Sequence, residues 1–576
     1  MAMNGRANGS NERGSEMWHG KRSLKLLLAT AVVGFLLWHK AVPEPDPNPR
    51  SVLIQAQDMS TAVAAVREVG GEITHELGII DAVAAELTTL QIEALQRVDG
   101  VTRIHGNHQV EVAKKPTPVE ITDTIYPSRV GANLLHAEGI TGAGITVAVL
   151  DTGWDNFGAI SYDTNAEWRV LESYDAIRDT IVGLPWRGPV YYPASYGEND
   201  SYGHATHVTS IILSRGNTNL DVPEEGLYDG IAPDASLVVV KAFDAYGQGS
   251  YADVIRGIDW VVTNKDTHNI RILNCSFSAP PRSHYWEDPL NQAVMRAWQA
   301  GIVVVASAGN SGPEPMTIGA PGNVPYVITV GAMSDNYTYD KKGNLNGDDF
   351  LASFSATGPT YEGFVKPEVV APGGHMRGLM GYTVLYQEHP EFYVDGHFTM
   401  SGTSQSAAVV SGVVALMLQQ DPTLTPDDVK CRLMATAQPA VDTNGDLAYS
   451  VFQQGAGLVS AYEGAFSTEC GCANRGLDID LDLAGTMHFG GAANRDENGN
   501  YYIEGLDGYL WSGSYMWSDG YMWSDAYMWS DAYMWSDAYM WSDAYMWSDA
   551  YMWSDAYMWS DGLTETMSIN AWVPQQ

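Results

Sequence analysis

The run of residues 406–418 constrains the fold of this chain more than any other stretch, because it contains no charged side chain. It is long enough to form a helix, and a helix without a polar face must be buried on all sides. Ser404 comes just before this run and follows Gly402 and Thr403. The positive end of the helix dipole would lie beside its hydroxyl. Ser404 is then either the cap of a buried helix or a nucleophile, and this stretch alone favours the cap.

The composition of the chain limits which partners it can bind and how its fold can be stabilised. The chain has 576 residues and a formal net charge of −38, and this length predicts roughly two to four structural units. So acidic a chain argues against a nucleic-acid partner, because phosphates would be repelled. The few cysteines exclude a disulfide scaffold: Cys275 lies in an apolar strand, and either Cys470 or Cys472 could pair with Cys431.

The N-terminal region, residues 1–50, has the pattern of an export signal. Lys21, Arg22 and Lys25 precede the apolar run 26–38, and a basic flank before a short apolar core is typical of a secretory signal. A spanning helix needs about 20 residues, so an uncleaved membrane anchor is the alternative. In either case the body of the protein is expected outside the cytoplasm. Residues 41–50 are rich in proline and are expected to be a linker.

Residues 51–113 are predicted to form a small separate domain. Helical spacing of Val63, Val66 and Val69 indicates a helix that Gly70 ends, and Thr88 with Gln91 forms a candidate capping box for a second helix. The predicted order is strand (52–55), helix (60–69), strand or hairpin (73–87), helix (88–100) and strand (101–112). This β-α-β-β-α-β order fits a ferredoxin-like unit. Residues 114–118 then read as an exposed linker that is open to cleavage.

Residues 120–466 alternate between short β-branched runs and helical patterns. Strands are predicted at 145–150, 237–241, 270–276, 302–307 and 326–330, with helices at 252–262 and 289–300 between some of them. Such alternation predicts an α/β domain whose mostly parallel sheet is covered by helices on both faces. Functional residues of these sheets gather at the carboxyl ends of the strands.

Three residues at such boundaries carry candidate chemistry. Asp151 ends the first strand, Asn310 lies in a glycine-flanked loop after the strand at 302–307, and His204 opens an apparent helix one turn before His207. The histidine pair could bind a metal, but no HExxH pattern accompanies it. Each residue could also be an ordinary turn or cap residue. Together with Ser404, they favour a site in which Asp151 orients His204 as general base and Asn310 holds a developing oxyanion.

The motifs around these residues resemble those of the subtilisin-like serine peptidases, the subtilase family. They read VAVLDTGWD around Asp151, GHATHV around His204, ASAGNSG around Asn310 and SGTSQSA around Ser404, in the chain order Asp, His, Ser. KAFDAYGQGSYADVIRGIDW and LNCSFS resemble the family's substrate-pairing edge strand and one wall of its primary pocket. VREVGGEITHELGIIDAVAAEL, within 51–113, resembles its inhibitory propeptide. The chain departs from the pattern at Ala205, where glycine is usual and which adds a methyl group beside His204, and at 405–408, which lacks the usual proline. The missing proline changes the start of the buried helix and not the nucleophile, so we expect activity to survive it.

The resemblance implies a serine endopeptidase that acts on polypeptides and has a subtilisin-like α/β fold. Ser404 would attack the scissile carbonyl, His204 would carry the proton, Asp151 would hold the imidazole, and Asn310 would bind the oxyanion. The implied substrate-binding residues are Gly247, Gln248, Gly249 and Ser250 in the edge strand, and Ser276, Phe277, Ser278, Ala308 and Gly309 in the pocket walls. Neither wall carries a charge, so a large apolar residue or broad specificity is expected. The resemblance implies no required cofactor.

The C-terminal region divides into a connector (467–508), a repeat array (509–562) and a tail (563–576). Residues 494–501 could be a calcium loop, but Asp, Asn and Gly also make ordinary turns, which we favour. The array repeats YMWSDA or YMWSDG with little variation. Such an array predicts a regular stack whose aromatic side chains could contact glycans or a cell surface, and a low-complexity tail without a fixed partner is equally compatible.

Two functions remain after these observations. The first is a secreted endopeptidase made as a zymogen, with residues 51–113 as its own inhibitory partner. The second is a catalytically inactive subtilase fold that acts as a surface or binding protein through its repeats. An α/β-hydrolase esterase is excluded, because Ser404 lies in GTSQS rather than in GxSxG. The presence of all four chemical residues favours the endopeptidase.

Overall fold

The computed structural model describes residues 49–107, 109–111, 126–184, 200–216, 228–334, 349–394, 396–442, 446–497 and 499–503. The predicted signal segment (26–38), the linker at 114–118 and the repeat array (509–562) lie outside these residues. None of the described helices is long and apolar enough to cross a membrane.

The N-terminal unit is a four-stranded antiparallel sheet with two helices. In chain order its elements are β1 (Arg50–Ala56), α1 (Met59–Glu68), β2 (Glu72–Leu77), a 3₁₀ turn (Gly78–Ile80), β3 (Ala82–Leu87), α2 (Thr89–Leu95) and β4 (Val101–Gly106). The strand order is β2-β3-β1-β4, so the stretch 73–87 is a pair of strands joined by a turn. The Thr88 side chain and the Gln91 side chain form a reciprocal capping box at the start of α2. A short strand, β5 (Gln109–Glu111), follows β4 and leaves this sheet.

The larger domain is built on a nine-stranded, mostly parallel sheet. The remaining strands are β6 (Thr146–Asp151), β7 (Val170–Asp175), β8 (Thr180–Ile181), β9 (Ser236–Lys241), β10 (Gln248–Ser250), β11 (Ile270–Cys275), β12 (Val303–Ser307), β13 (Ile328–Ser334), β14 (Phe350–Leu351), β15 (Val369–Pro372), β16 (Met376–Leu379), β17 (Tyr393–Val394), β18 (His397–Met400), β19 (Ala493–Arg495) and β20 (Tyr501–Ile503). The sheet order is β14-β13-β12-β11-β6-β9-β7-β8, with β15 also beside β13. Among the described strands of this sheet, only β8 and β14 pair with their neighbours, β7 and β13, in the antiparallel sense.

Helices pack against this sheet and supply the other layers. They are α3 (Tyr126–Arg129), α4 (Ala132–Ala137), α5 (Gly158–Ser161), α6 (His204–Leu213), α7 (Tyr251–His268), α8 (Pro289–Gln299), α9 (Val384–Glu388), α10 (Thr403–Gln420), α11 (Pro426–Thr436), α12 (Val451–Gln454), α13 (Ala461–Phe466) and α14 (Ile479–Leu483), with a 3₁₀ turn at Pro390–Phe392. The uncharged run 406–418 lies within α10, and every residue from Thr403 to Leu418 is buried. The mostly parallel α/β architecture predicted from the sequence is therefore confirmed.

Strand order places a topological switch at β6. After β6 the chain forms β7, β8 and β9 on one side of this strand, and then β11, β12 and β13 on the other side. A crevice forms where the strand order reverses, at the carboxyl ends of the strands. Asp151 is the last residue of β6 and lies at that end of the sheet.

Residues 467–503 pack onto the larger domain. The Cys431–Cys472 disulfide ties this segment to α11, whereas Cys275 is buried and Cys470 is exposed, both as free thiols. The buried Asp482 accepts hydrogen bonds from the hydroxyls of Tyr285 and Tyr326, at 2.6 and 2.7 Å. Of the stretch 494–501, the first residues lie in β19 and the last in β20, which pair in antiparallel register, and the backbone N–H of Asn500 donates to Asp496. A hydrogen bond from a backbone N–H to a nearby Asp side chain is typical of an ordinary turn.

Candidate active site

Asp151 and His204 form a buried pair. The Nδ1 atom of His204 lies 2.9 Å from each carboxylate oxygen of Asp151, and the two side chains are 0% and 1% exposed. A carboxylate only accepts hydrogen bonds, so Nδ1 carries a proton, and in the neutral imidazole Nε2 keeps its lone pair. Nε2 is buried and has no hydrogen-bond partner among the described residues. An imidazole held in this way can accept a proton at Nε2, which is the chemistry of a general base.

Asp200 and Thr152 hold the start of α6, which carries His204. Asp200 accepts hydrogen bonds from the backbone N–H groups of Gly203 and Thr206, both at 2.7 Å. The Thr152 hydroxyl donates to Asp200 and accepts from the backbone N–H of Ala205. Sequence reasoning missed both residues as supports of the site. The position of Asp200 just before the predicted helix could have indicated its role, because an acidic side chain there accepts hydrogen bonds from the unpaired N–H groups of the first helical turn.

His207 is a structural side chain. It is buried, and its Nε2 lies 3.1 Å from the Met376 carbonyl oxygen and 2.9 Å from that of Phe398. Burial, together with the nearby His204, lowers the pKa of His207 to about 3. Because Nε2 must be protonated to donate to these carbonyls, its lone pair is not available to a metal. Among the described residues, no group of three or more His, Cys, Asp or Glu side chains is placed to hold a metal ion.

Ser404 begins the buried helix α10 and contacts the end of β11. Its hydroxyl donates to the Ser276 carbonyl at 2.8 Å, and the Ser276 hydroxyl donates to the Ser404 carbonyl at 2.8 Å. Asn274 also donates to the Ser276 hydroxyl. Side-chain bonds therefore fix the start of α10 to the carboxyl end of the central sheet. The Ser404 hydroxyl faces the Ser276 carbonyl in this structure.

Thr403 orients the amide of Asn310. The backbone N–H and the hydroxyl of Thr403 both donate to Asn310 Oδ1, at 2.9 and 2.8 Å. The Thr403 hydroxyl also accepts from the backbone N–H of Gly309. With Oδ1 held in this way, Asn310 Nδ2 is buried without a hydrogen-bond partner among the described residues. A buried N–H donor without a partner lowers the stability of the folded state. In a site that receives an oxyanion, such a donor can bind the negative oxygen. No local sequence pattern indicates this role for Thr403.

The edge strand β10 is occupied by another part of the same chain. β5 pairs with it in antiparallel register, with Gln109 opposite Ser250, Val110 opposite Gly249 and Glu111 opposite Gln248. Glycine is required at 247, where φ is +71°, and a Cβ at 249 would lie 2.7 Å from the Ala242 carbonyl oxygen. These glycines let β10 pack closely against Tyr202 and Ala242 of its own domain, and β5 pairs with β10 in antiparallel register.

Polar contacts join the N-terminal unit to α7 and to Glu287, which lies just before α8. His75 Nε2 lies 2.6 Å from Asp253 Oδ1, Arg103 pairs with Glu287 at 3.1 Å, and the backbone N–H of Ala252 donates to Asn107. The buried apolar residues Leu53, Leu77, Ile80, Ala82 and Ala84 of this unit belong to the core of the larger domain. The unit is therefore seated on the larger domain beside the edge strand.

The segments predicted as pocket walls follow two neighbouring strands. Ser276, Phe277 and Ser278 come directly after β11, and Ala308 and Gly309 directly after β12. All are buried, and the Ser307 hydroxyl donates to the Phe277 carbonyl at 2.9 Å. Neither segment carries a charged side chain. The structure brings the two walls together as adjacent strand ends.

Comparisons with known proteins point to one family. The family model described as the subtilase family matches residues 142–457, more than half of the chain. Serine protease AprX of Bacillus subtilis is 34% identical over 380 residues, which cover 63% of this chain and 76% of that protein. Subtilisin E of the same species is 29% identical over 375 residues, which cover 65% of this chain and 79% of that protein.

A solved structure shows the same fold. Fervidolysin from Fervidobacterium pennivorans, a keratinolytic enzyme related to subtilisin, matches with a TM-score of 0.55 at 22% identity. The match covers 73% of this chain and 62% of that one. The fold, the order of the motifs and the curated relatives agree: the chain belongs to the subtilase family and is a serine endopeptidase.

Proposed function

We propose that this subtilase is a secreted endopeptidase made as a zymogen, with Asp151, His204 and Ser404 as its triad and Asn310 in its oxyanion hole. The main support is the buried Asp151–His204 pair, in which Nδ1 is held and Nε2 is without a partner among the described residues. The relatives are named as proteases, so the alternative of a catalytically inactive surface protein is not favoured.

Acylation uses the groups in the following roles. The Ser404 hydroxyl rotates away from the Ser276 carbonyl and gives its proton to Nε2 of His204 as its oxygen bonds to the scissile carbon. Catalytic hydrogen bonds often tighten only when substrate is bound. Asp151 stabilises the imidazolium, and Asn310 Nδ2 donates to the oxyanion. The C–N bond then breaks, and His204 gives its proton to the leaving amine.

Deacylation repeats the proton transfers with water. His204 takes a proton from water as the water oxygen bonds to the acyl carbon. The ester bond to Ser404 then breaks, and the proton returns from His204 to the serine oxygen. The net reaction consumes one water for each peptide bond hydrolysed and restores the enzyme.

The contact between β5 and β10 supports the zymogen part of the proposal. Peptide substrates commonly add a strand to an exposed sheet edge, where backbone hydrogen bonds supply affinity. β5 occupies that edge, and the polar contacts His75–Asp253 and Arg103–Glu287 hold the N-terminal unit beside it. Residues 51–113 therefore act as an inhibitor until the chain is cut after them.

Two features support secretion: the sequence of the N-terminal region and the Cys431–Cys472 disulfide bond. Residues 21–38 combine basic residues with a short apolar core. The Cys431–Cys472 disulfide is of the kind that persists in oxidising compartments outside the cytoplasm.

Self-processing tests this function. The wild-type chain is expected to separate into a fragment ending near residue 113 and a mature peptidase, whereas Ser404→Ala is expected to stay intact. Ser406→Ala, a buried serine two residues further along α10, is the matched control and is expected to mature. Added wild-type enzyme should cut the Ser404→Ala chain, which shows that the bond is accessible. A Ser404→Ala protein that matures unaided would contradict the proposal.

A further inference from the structure

Ser278 occupies the space between the two pocket walls. Its hydroxyl lies 2.8 Å from the place of a Cβ on Gly309 and 2.0 Å from that of a Cβ on Gly319. Neither glycine could gain even a methyl group without displacing this hydroxyl. Ser278 itself is 5% exposed, so its side chain is enclosed by these neighbours.

The surrounding backbone leaves little freedom to widen this space. Ala279 and Ala320 exchange two backbone hydrogen bonds, at 2.8 and 2.7 Å, and the N–H of Gly319 donates to the Ala308 carbonyl at 3.0 Å. Three chain segments are therefore bonded to one another around Ser278. Ala308, Ile318 and Ala356 form a buried apolar cluster beside Gly309 and Gly319. None of these neighbours of Ser278 carries a charged side chain.

We propose that Ser278 makes the primary pocket shallow, so that the enzyme cleaves after small uncharged residues such as alanine. This inference rests on the proposed function and differs from the large apolar or broad preference expected from the uncharged walls alone. The side chain of phenylalanine or leucine would have to displace the Ser278 hydroxyl from between two glycines. Because the three segments are hydrogen-bonded, this displacement costs binding energy in the transition state.

The sequence that follows β5 offers a second observation. If the N-terminal unit is the enzyme's first substrate, the cut falls between Glu111, the end of β5, and Tyr126, the start of α3. Ala113 is the only alanine, glycine or serine among residues 112–125. A shallow pocket therefore selects the bond between Ala113 and Lys114.

Peptides that differ only in the residue before the scissile bond test the proposal. With alanine, leucine and phenylalanine at that position, wild-type kcat/KM is expected to be at least about 10-fold higher for alanine than for phenylalanine. Ser278→Gly should raise the phenylalanine-to-alanine ratio by about 10-fold or more, and Ser278→Ala by less. Ser283→Gly, a glycine substitution in the same loop but outside the walls, should leave the ratio unchanged. If Ser278→Gly does not fold, the same ratio is measured with the Ser278→Ala enzyme.

The outcomes separate the proposal from the function on which it rests. A wild-type preference for phenylalanine or leucine, or a ratio that neither Ser278 variant changes, would overturn the role of Ser278 and leave the peptidase activity intact. Hydrolysis of none of the peptides would overturn both. N-terminal sequencing of the mature protein should give Lys114 as the first residue, and a cut after Val119 or Ile121 would contradict a shallow pocket.

Discussion

Asn310 and Thr403 are joined by two hydrogen bonds that fix the direction of the Asn310 amide. The Thr403 backbone N–H can only donate, so the atom that it contacts at 2.9 Å must be the Asn310 oxygen. The Nδ2 group is left buried and without a hydrogen-bond partner among the residues that the structure describes. The geometry therefore leaves the Nδ2 group available to donate to an acceptor atom of the substrate.

Replacement of Asn310 by alanine should slow catalysis without weakening substrate binding. The lost donor acts on charge that develops in the transition state, and removal of one such donor costs about 10²–10³ in kcat. KM should change little. Steady-state kinetics on one peptide substrate would measure the effects on kcat and KM separately. An unchanged kcat in this variant would show that Asn310 does not stabilise the transition state.

Thr403→Val should reproduce part of this loss through Asn310. Valine keeps the shape and the backbone N–H but removes the hydroxyl that donates to Asn310 at 2.8 Å. We expect kcat to fall by about 10-fold, the usual scale for one lost hydrogen bond. Thr403→Ser keeps a hydroxyl and should restore most of the rate. In the Asn310→Ala background, Thr403→Val should have little further effect; a full additional loss would show that Thr403 acts independently of Asn310.

The positions of the candidate site residues in the fold could be predicted because each lies at the boundary of a strongly patterned element. The strand predicted at 145–150 is observed one residue later, and its carboxyl end is Asp151. The uncharged run 406–418 is fully buried in α10, as its lack of a polar face requires. Local pattern was sufficient here, because β-branched runs and an apolar helix have few alternative structures.

The supports of the site could not be predicted in the same way. The bonds from Thr403 to Asn310 and from Thr152 to Asp200 join residues that are far apart in sequence. Ser278 has no local pattern that distinguishes it from any other loop serine. Asp482 is buried only because Tyr285 and Tyr326 reach it, and nothing periodic in residues 467–503 indicates that packing. Such roles depend on tertiary contacts and not on the neighbouring sequence.

His207 should make the folded state less stable in acid. Burial lowers its pKa from 6.5 to about 3, so between these values the unfolded chain binds a proton that the folded chain does not. The free energy of unfolding should therefore decrease as the pH falls below about 6.5, by up to about 1.4 kcal/mol per pH unit from this group.

His207→Gln keeps a donor for the Met376 and Phe398 carbonyls and does not titrate. Denaturant unfolding from pH 4.5 to 7.5, in the Ser404→Ala background to prevent self-digestion, should show a shallower decrease in acid for the glutamine variant. Parallel curves for the two proteins would mean that His207 does not contribute to acid sensitivity.

Loss of the Cys431–Cys472 bond should destabilise the chain, because it closes a loop with a sequence separation of 41 residues. We expect Cys431→Ser combined with Cys472→Ser to lower the free energy of unfolding by about 2–4 kcal/mol. Cys470→Ser is the control, since Cys470 is exposed and has a free thiol. Equal stability of the double variant and the control would show that the disulfide contributes nothing to the fold.

The most direct test of the central claim is the site at which the protein reacts with a fluorophosphonate. Such a reagent phosphonylates only a serine that a neighbouring base has activated. After digestion, mass spectrometry of the labelled protein should find the adduct on Ser404, with no labelling of Ser404→Ala and normal labelling of Ser406→Ala. Labelling that persists in Ser404→Ala, or a folded wild-type enzyme that does not react, would contradict the assignment of Ser404 as the nucleophile.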